Sequence, residues 1–149
     1  MTAFWDWALD AYARPGVAEA CLELQDAHGQ NVPLLLWAAW TAQEGRRADL
    51  AAAARLAQAW ETDAVEPLRA VRRVLKQPRA GFDDAAREGL RARIKAVELE
   101  SERLLMASLE ALSAPGPAGA EARARLFEAA RAYGAPVDAE VFSSLLARL

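Results

Sequence analysis

The chain has 149 residues, 54% of them hydrophobic and 26% charged, and its formal net charge at pH 7 is −3. This length and balance are typical of one globular domain and exclude an intrinsically disordered chain. Alanine is abundant, whereas valine, isoleucine and threonine rarely cluster as they do in strands. We therefore expect a single all-α domain over residues 1–149, an irregular bundle of about seven to eight helices.

Targeting and cross-linking signals are absent from the sequence. The first six residues carry no basic segment of the kind that begins a signal peptide. The longest strongly hydrophobic uncharged stretch, residues 32–42, is far shorter than the ~20 residues that a membrane span needs. Cys21 is the only cysteine, which excludes an internal disulfide and a cysteine-rich zinc site. We expect a soluble, cytoplasmic protein.

The first three predicted helices precede residue 45. The first covers residues 2–13 with Thr2 as N-cap, and its apolar residues share one face: Trp5, Ala8, Leu9 and Tyr12. The second covers residues 17–28 and ends at Gly29. The third follows Asn31 as N-cap. Because residues 34–40 are apolar all round, we expect this helix at the centre of the core.

The remaining helices follow a loop at residues 45–47. The fourth covers about 48–60, and whether it ends near residue 62 or bends into the fifth is left open. The fifth helix carries one apolar face and ends at residues 77–81; that face consists of Leu68, Val71, Val74 and Leu75. The sixth and longest covers about 83–112. After a Pro/Gly-rich loop at 114–119 we expect a seventh helix at 120–133 and an eighth that begins with Asp138 as N-cap.

Basic residues concentrate in one segment of this acidic chain. Residues 69–95 hold nine lysines and arginines against three acidic residues, a net charge of +6. The fifth and sixth helices should form an antiparallel hairpin because the loop between them is short. The hairpin then gathers a basic cluster, the candidate site for an anionic partner: Arg69, Arg72, Arg73, Lys76, Arg79, Arg87, Arg91 and Lys95.

Two interpretations of this cluster stay open. Arg87, Arg91 and Lys95 are spaced four residues apart, where like charges slightly oppose helix formation, and such a broken rule can mark a functional site. Alternatively, the arginines pair internally with acidic residues such as Glu98 and Glu102. We expect those two glutamates to form salt bridges rather than a di-metal site, since such sites also need Glu-x-x-His motifs and His28 is the only histidine.

Neither Cys21 nor the tryptophans predict catalysis. Two helical turns, about 10 Å, separate Cys21 from His28, so the two cannot pair directly, and Cys21 should be a small buried residue. Trp7 lies about 200° around its helix from Trp5, so it either packs on a second neighbour or anchors a partner at an interface. The sequence contains no glycine-rich phosphate loop, Walker motif, Ser–His–Asp order or zinc-ligand spacing. No cofactor and no metal are therefore predicted.

Several segments resemble a known family. They are Trp5-x-x-Ala8-x-x-x-Tyr12, Pro15-Gly16-Val17, Cys21-Leu22-x-Leu24-Gln25-Asp26-x-His28-Gly29, Val32-x-Leu34-Leu35-x-x-x-Trp40, Pro67-Leu68-Arg69-x-x-Arg72-Arg73-x-Leu75-Lys76 and Ile94-Lys95-x-x-Glu98-Leu99-x-x-Glu102. Over roughly the first 110 residues, the chain resembles a family of small proteobacterial proteins of unknown function. The resemblance implies no activity.

We expect a non-enzymatic interaction or adaptor protein that presents the basic hairpin to an acidic protein or another anionic partner. The net negative charge argues against nonspecific nucleic-acid binding. The alternative is an enzyme or small-molecule-binding protein with a pocket lined by Trp37, Trp40 and His28. Self-association into a homo-oligomer through the sixth helix is a third option.

Overall fold

The computed structural model describes residues 2–116, 122–134 and 139–149 and shows an irregular all-α bundle. The α-helices are α1 (Phe4–Tyr12), α2 (Val17–Asp26), α3 (Val32–Gln43), α4 (Leu50–Trp60), α5 (Glu66–Val74), α6 (Asp84–Ala111), α7 (Ala122–Tyr133) and α8 (Ala139–Leu146). The predicted fold class and the single long helix are both confirmed, since α6 has 28 residues. The predicted N-cap at Asp138 lies outside the described residues.

Helix α3 forms the centre of the core, as its apolar sequence predicts. Asn31 caps it, with its side-chain Oδ1 accepting a hydrogen bond from the backbone N–H of Leu34 at 3.0 Å. All residues from Leu34 to Thr41 are buried. Around α3 pack α1, α2, α4, α6 and α7.

Helix α1 buries a different face from the predicted one. Its buried residues are Phe4, Trp7, Ala8 and Ala11. The Phe4 ring packs on Trp40 of α3, with the ring centroids 5.3 Å apart. Of the predicted apolar face only Ala8 is fully buried, because α1 has two apolar faces and α3 can cover only one. The helix also begins one residue later than predicted, with Ala3 rather than Thr2 at the N-cap position.

Two predicted loops contain short strands. Strand β1 (Arg46–Ala48) pairs antiparallel with β2 (Ser113–Pro115), with Arg46 opposite Pro115. Nε of Arg46 donates a hydrogen bond to Oγ of Ser113 at 2.8 Å, which fixes the pairing through a side chain as well. The prediction of irregular loops was wrong at Arg46, Arg47, Ala114 and Pro115, and Ala48 lies in a strand rather than at the start of the fourth helix. Residues 117–119 of the predicted loop lie outside the described residues.

Helix α4 continues into α5 through one π-helical turn, Glu61–Val65. The open question at residue 62 is therefore resolved in favour of continuation. Pro67 follows this turn directly, in the first turn of α5, and because proline has no backbone N–H it interrupts the regular helical hydrogen bonding at this point. In the described part of the chain, no helix is both long and apolar enough to cross a membrane.

Candidate functional site

Helix α5 and the first half of α6 form an antiparallel hairpin, residues 66–97, which we call the basic hairpin. The structure describes all of these residues, and none belongs to the hydrophobic core. Its only buried side chains are Arg69 and Arg87. A helix pair that buries two arginines and no apolar side chain contributes little hydrophobic stabilisation to the domain.

The base of the basic hairpin is held by ion pairs. The buried carboxylate of Glu98 accepts from Nε of Arg69 at 3.3 Å and from Nε of Arg72 at 2.5 Å. Nη1 of Arg69 also donates to Glu61 at 2.8 Å and to Glu66 at 3.1 Å. This confirms the internal pairing with Glu98 and removes Arg69 and Arg72 from the surface available to a partner.

The end of the basic hairpin has a second set of pairs. The buried guanidinium of Arg87 donates to Asp84 at 2.7 Å, to Glu88 at 2.7 Å and to the backbone carbonyl oxygen of Leu75. Arg91 lies 3.6 Å from Glu88. Arg87 therefore connects α6 to the end of α5. The spacing of Arg87 from Arg91 predicted a place in a binding surface, and it did not predict this structural role.

The other predicted cations face solvent. Arg73 is exposed and pairs with Glu66 at 3.1 Å. Among the described residues, Lys76, Arg79 and Lys95 have no carboxylate partner, and Arg93 shares this property. The basic cluster thus divides into paired arginines at the base and in the first turns of α6, and unpaired cations on the outside.

Apolar side chains accompany the unpaired cations. Phe82 in the connecting loop is 69% exposed and Val74 is 61% exposed. Three more exposed residues lie on the two helices: Val71, Leu90 and Val97. A cavity of about 230 Å³ lies between Val74, Phe82 and Leu90. The predicted apolar face of the fifth helix is therefore not covered by the core, and clustered exposed apolar residues of this kind favour an interaction surface.

For Trp7 the structure confirms packing on a neighbour and excludes the interface anchor, and the alternative of a pocket lined by Trp37, Trp40 and His28 was wrong. Trp7 is only 8% exposed and its indole Nε1 donates to Oε1 of Gln43 at 3.1 Å, so it packs inside the chain and cannot anchor a partner. Trp37 and Trp40 are fully buried in the core, because α3 is enclosed on all sides. They do not line a pocket with His28.

A more apolar cavity lies elsewhere, between α1, the start of α3 and the second half of α6, with Gln25 of α2 at its wall. It has a volume of about 480 Å³, and we call it the apolar groove. Its walls are mainly apolar, and its principal residues are Trp5, Leu9, Tyr12, Leu36, Leu99 and Met106. Sequence reasoning missed this groove. The signal that could have revealed it is the second apolar face of α1, which the core leaves uncovered and which forms one wall of the groove.

Polar groups of α6 line the same groove. Glu102 is partly buried, with 31% of its side chain exposed, and its carboxylate lies 4.0 Å from Nη2 of Arg69, at the limit of an ion pair. Burial, and then the charge of Glu98, raise the pKa of Glu102 above its ordinary value. The guanidinium of Arg103 stacks over the Trp5 ring at 4.6 Å from its centroid.

Cys21 is buried, as predicted. Burial raises the pKa of its thiol to about 11, against the smaller lowering effect of a hydrogen bond with Tyr12. The thiolate is therefore scarce at neutral pH, which disfavours a nucleophilic role. Among the described residues, no group of three histidine, cysteine or acidic side chains is placed to hold a metal ion.

Comparison with known proteins gives one match. The model of a family described as "Protein of unknown function (DUF2390)" matches residues 3–109. The matched segment includes the basic hairpin and all residues that line the apolar groove. No curated protein and no solved structure matches the chain.

Proposed function

We propose that this chain, which belongs to the DUF2390 family of unknown function, is an interaction protein whose basic hairpin docks on an acidic protein surface. One observation carries the proposal. The basic hairpin presents unpaired cations and exposed apolar side chains together, on a helix pair that contributes nothing to the core.

The ion pairs at the base make this surface suitable for docking. Arg69, Arg72 and Glu98 connect α5 to α6, and Arg87 connects α6 to the end of α5. These ion pairs and hydrogen bonds hold the two helices in register. The apolar side chains on them remain free to pack against another molecule, and a preorganised surface loses less conformational entropy on binding.

The partner's chemistry follows from what the surface offers. Lys76, Arg79, Arg93 and Lys95 favour a partner rich in aspartate and glutamate, while Val74 and Phe82 favour apolar side chains among them. An acidic amphipathic segment of a protein has both properties. If the unpaired cations formed only a solvated surface, exposed apolar side chains such as Phe82 and Val74 would not be expected beside them.

Charge reversal of the unpaired cations tests the proposal. The variant Lys76→Glu/Arg79→Glu/Lys95→Glu removes no described ion pair, so its free energy of unfolding should stay within about 0.5 kcal/mol of the parent value. A photo-crosslinker in place of Phe82 identifies the partner in cells and the segment that contacts the hairpin. We expect that segment to be acidic and the reversed chain to lose the crosslink.

The matched control reverses three exposed arginines outside the hairpin, on α4 and α7, Arg55→Glu/Arg123→Glu/Arg131→Glu, which likewise have no described ion-pair partner. This control should keep the crosslink. The proposal is wrong if both triple variants keep the crosslink or if both lose it. It is also wrong if the crosslinked segment is basic or comes from a nucleic acid.

The bacterial cytoplasm remains the location that the sequence predicts for this interaction, and self-association through α6 remains a prediction as well. If the crosslinked partner is a second copy of this chain, the hairpin mediates homo-oligomerisation and the proposal of an acidic partner protein is wrong.

A further inference from the structure

We propose that the apolar groove binds an organic amine with an apolar body, whose ammonium group lies against the carboxylate of Glu102. The groove is independent of the outer surface of the basic hairpin, and its occupant need not be a macromolecule. Three features of the described residues carry this inference: the shape of the groove, the charge balance beneath it and the position of Arg103.

The shape suits a small molecule. The groove encloses about 480 Å³ between four helices, α1, α2, α3 and α6, within the range of small-molecule sites. Leu9 of α1 is 52% exposed, and Tyr12 and Leu99 are also exposed around it. These side chains lie on a face of α1 and a face of α6 that no other described element covers. An apolar ligand body would remove them from water, which is favourable by roughly 25 cal/mol per Å².

The charge balance beneath the groove favours a cation. Four carboxylates surround three arginines there, with Glu61, Glu66, Glu98 and Glu102 against Arg69, Arg72 and Arg73. The three other carboxylates each have an arginine nitrogen within 3.3 Å, whereas the nearest for Glu102 is at 4.0 Å. Glu102 is thus the carboxylate with the weakest counter-ion, and it lines the groove.

A ligand ammonium beside Glu102 would supply the missing positive charge. In this mainly apolar site, a charge-assisted hydrogen bond is stronger than the same bond in water. Arg103 does not compete for this role, because its guanidinium is stacked on the Trp5 ring at the edge of the groove. Arg103 instead lines the groove together with the Trp5 ring that it covers.

Three probes with the same apolar body test the inference: 4-phenylbutylamine, 4-phenylbutan-1-ol and 4-phenylbutyrate. Binding to the full chain is measured by calorimetry, and the indole N–H resonance of Trp5 reports whether the probe enters the groove. We expect the amine to bind at least tenfold more tightly than the alcohol, and the carboxylate to bind most weakly. In Glu102→Gln the amine should lose this preference, while the affinity for the alcohol stays similar.

Glu100→Gln is the matched control, since Glu100 also lines the groove but is exposed; the amine preference should persist there. Equal affinities for the three probes in the parent chain would overturn the inference. Tightest binding of the carboxylate probe would also overturn it and would indicate that Arg103 holds the charged group of the ligand. If none of the three probes binds at millimolar concentration, the inference is wrong and the groove is more suited to apolar side chains of a partner protein. If Glu102→Gln does not fold, the order of the three probes in the parent chain decides the question.

Discussion

Nε of Arg72 on α5 lies 2.5 Å from Oε2 of Glu98 on α6, and the carboxylate that accepts this bond is buried. The same carboxylate also accepts from Arg69. Glu98 is therefore the group that joins the two helices of the basic hairpin at its base.

Replacing Glu98 should destabilise the protein. Removing one partner of a buried ion pair typically costs 3–5 kcal/mol, because the other charge is left uncompensated. Arg69 keeps Glu61 and Glu66, so we expect Glu98→Ala to lower the free energy of unfolding by about 2 kcal/mol, measured by urea denaturation. Glu100→Ala, on the same helix but exposed and without a described ion pair, should change it by less than about 0.5 kcal/mol. Equal effects would contradict the role given to Glu98.

Glu102 should make the protein less stable as the pH rises. Its pKa is raised in the folded state, so between the unfolded and the folded pKa the folded chain binds more protons than the unfolded chain. Stability contributed by this group is then highest below the unfolded pKa and falls as pH rises through the folded pKa. Glu102→Gln removes this decline. We expect the variant to unfold at a higher temperature than the parent at pH 7, with the difference shrinking at pH 4; a lower melting temperature at pH 7 would contradict this.

Trp40 should be among the costliest residues to truncate. It is buried, contacts the Phe4 ring, lies under the Arg46 guanidinium and donates from Nε1 to the carbonyl oxygen of Thr2 at 3.1 Å. Trp40→Ala should lower the free energy of unfolding by about 3–5 kcal/mol, as other large aromatic deletions in cores do. A loss under about 1 kcal/mol in urea denaturation would show that the core does not close around this ring.

Two glycines should respond in opposite directions to alanine. Gly89 is inside α6, and an added Cβ would meet open space at an ordinary helical backbone. Gly89→Ala should therefore stabilise the helix by about 0.5–1 kcal/mol. Gly29 has equal space but a φ of +60°, which an L side chain rarely adopts, so Gly29→Ala should destabilise. Amide hydrogen exchange in α6 and urea denaturation measure the two effects; stabilisation by both would contradict the assigned backbone at Gly29.

The thiol of Cys21 should be inert in the folded chain. With a pKa of about 11, roughly one thiol in ten thousand is ionised at pH 7. A disulfide reagent should react with it slowly in buffer and rapidly in urea. Cys21→Ala should also retain whatever activity the parent chain has in cells. Fast labelling of the folded chain, or loss of activity with an intact fold, would show that Cys21 is functional.

Local patterns predicted the helices well, and contacts between distant segments explain the errors. The Asn31 cap and the extent of α6 depend on neighbouring residues, so the sequence suffices for them. The strands at Arg46 and Ser113 form only because residues far apart in the chain meet, and a three-residue strand has no periodicity of its own.

The candidate sites show the same division. The pairing of Arg69 and Arg72 with Glu98 followed from the hairpin topology and was predicted. The burial of Arg87 was not, because it depends on the position of the Leu75 carbonyl oxygen in the connecting turn. The apolar groove needed the relative placement of α1, α3 and α6. A helix with two apolar faces does not reveal which one the core covers.

The π-helical turn at Glu61–Val65 absorbs one extra residue of the chain without turning the hairpin away from α6. Such a turn holds one residue more than the equivalent α-helical turn, whereas an extra residue in a regular α-helix advances every later side chain by about 100°. Deleting a single residue within these five positions should therefore let the turn relax to an α-helix while Arg69 and Arg72 still face Glu98. A deletion just after Val65, in regular helix, would instead rotate the rest of α5 and turn both arginines away from Glu98.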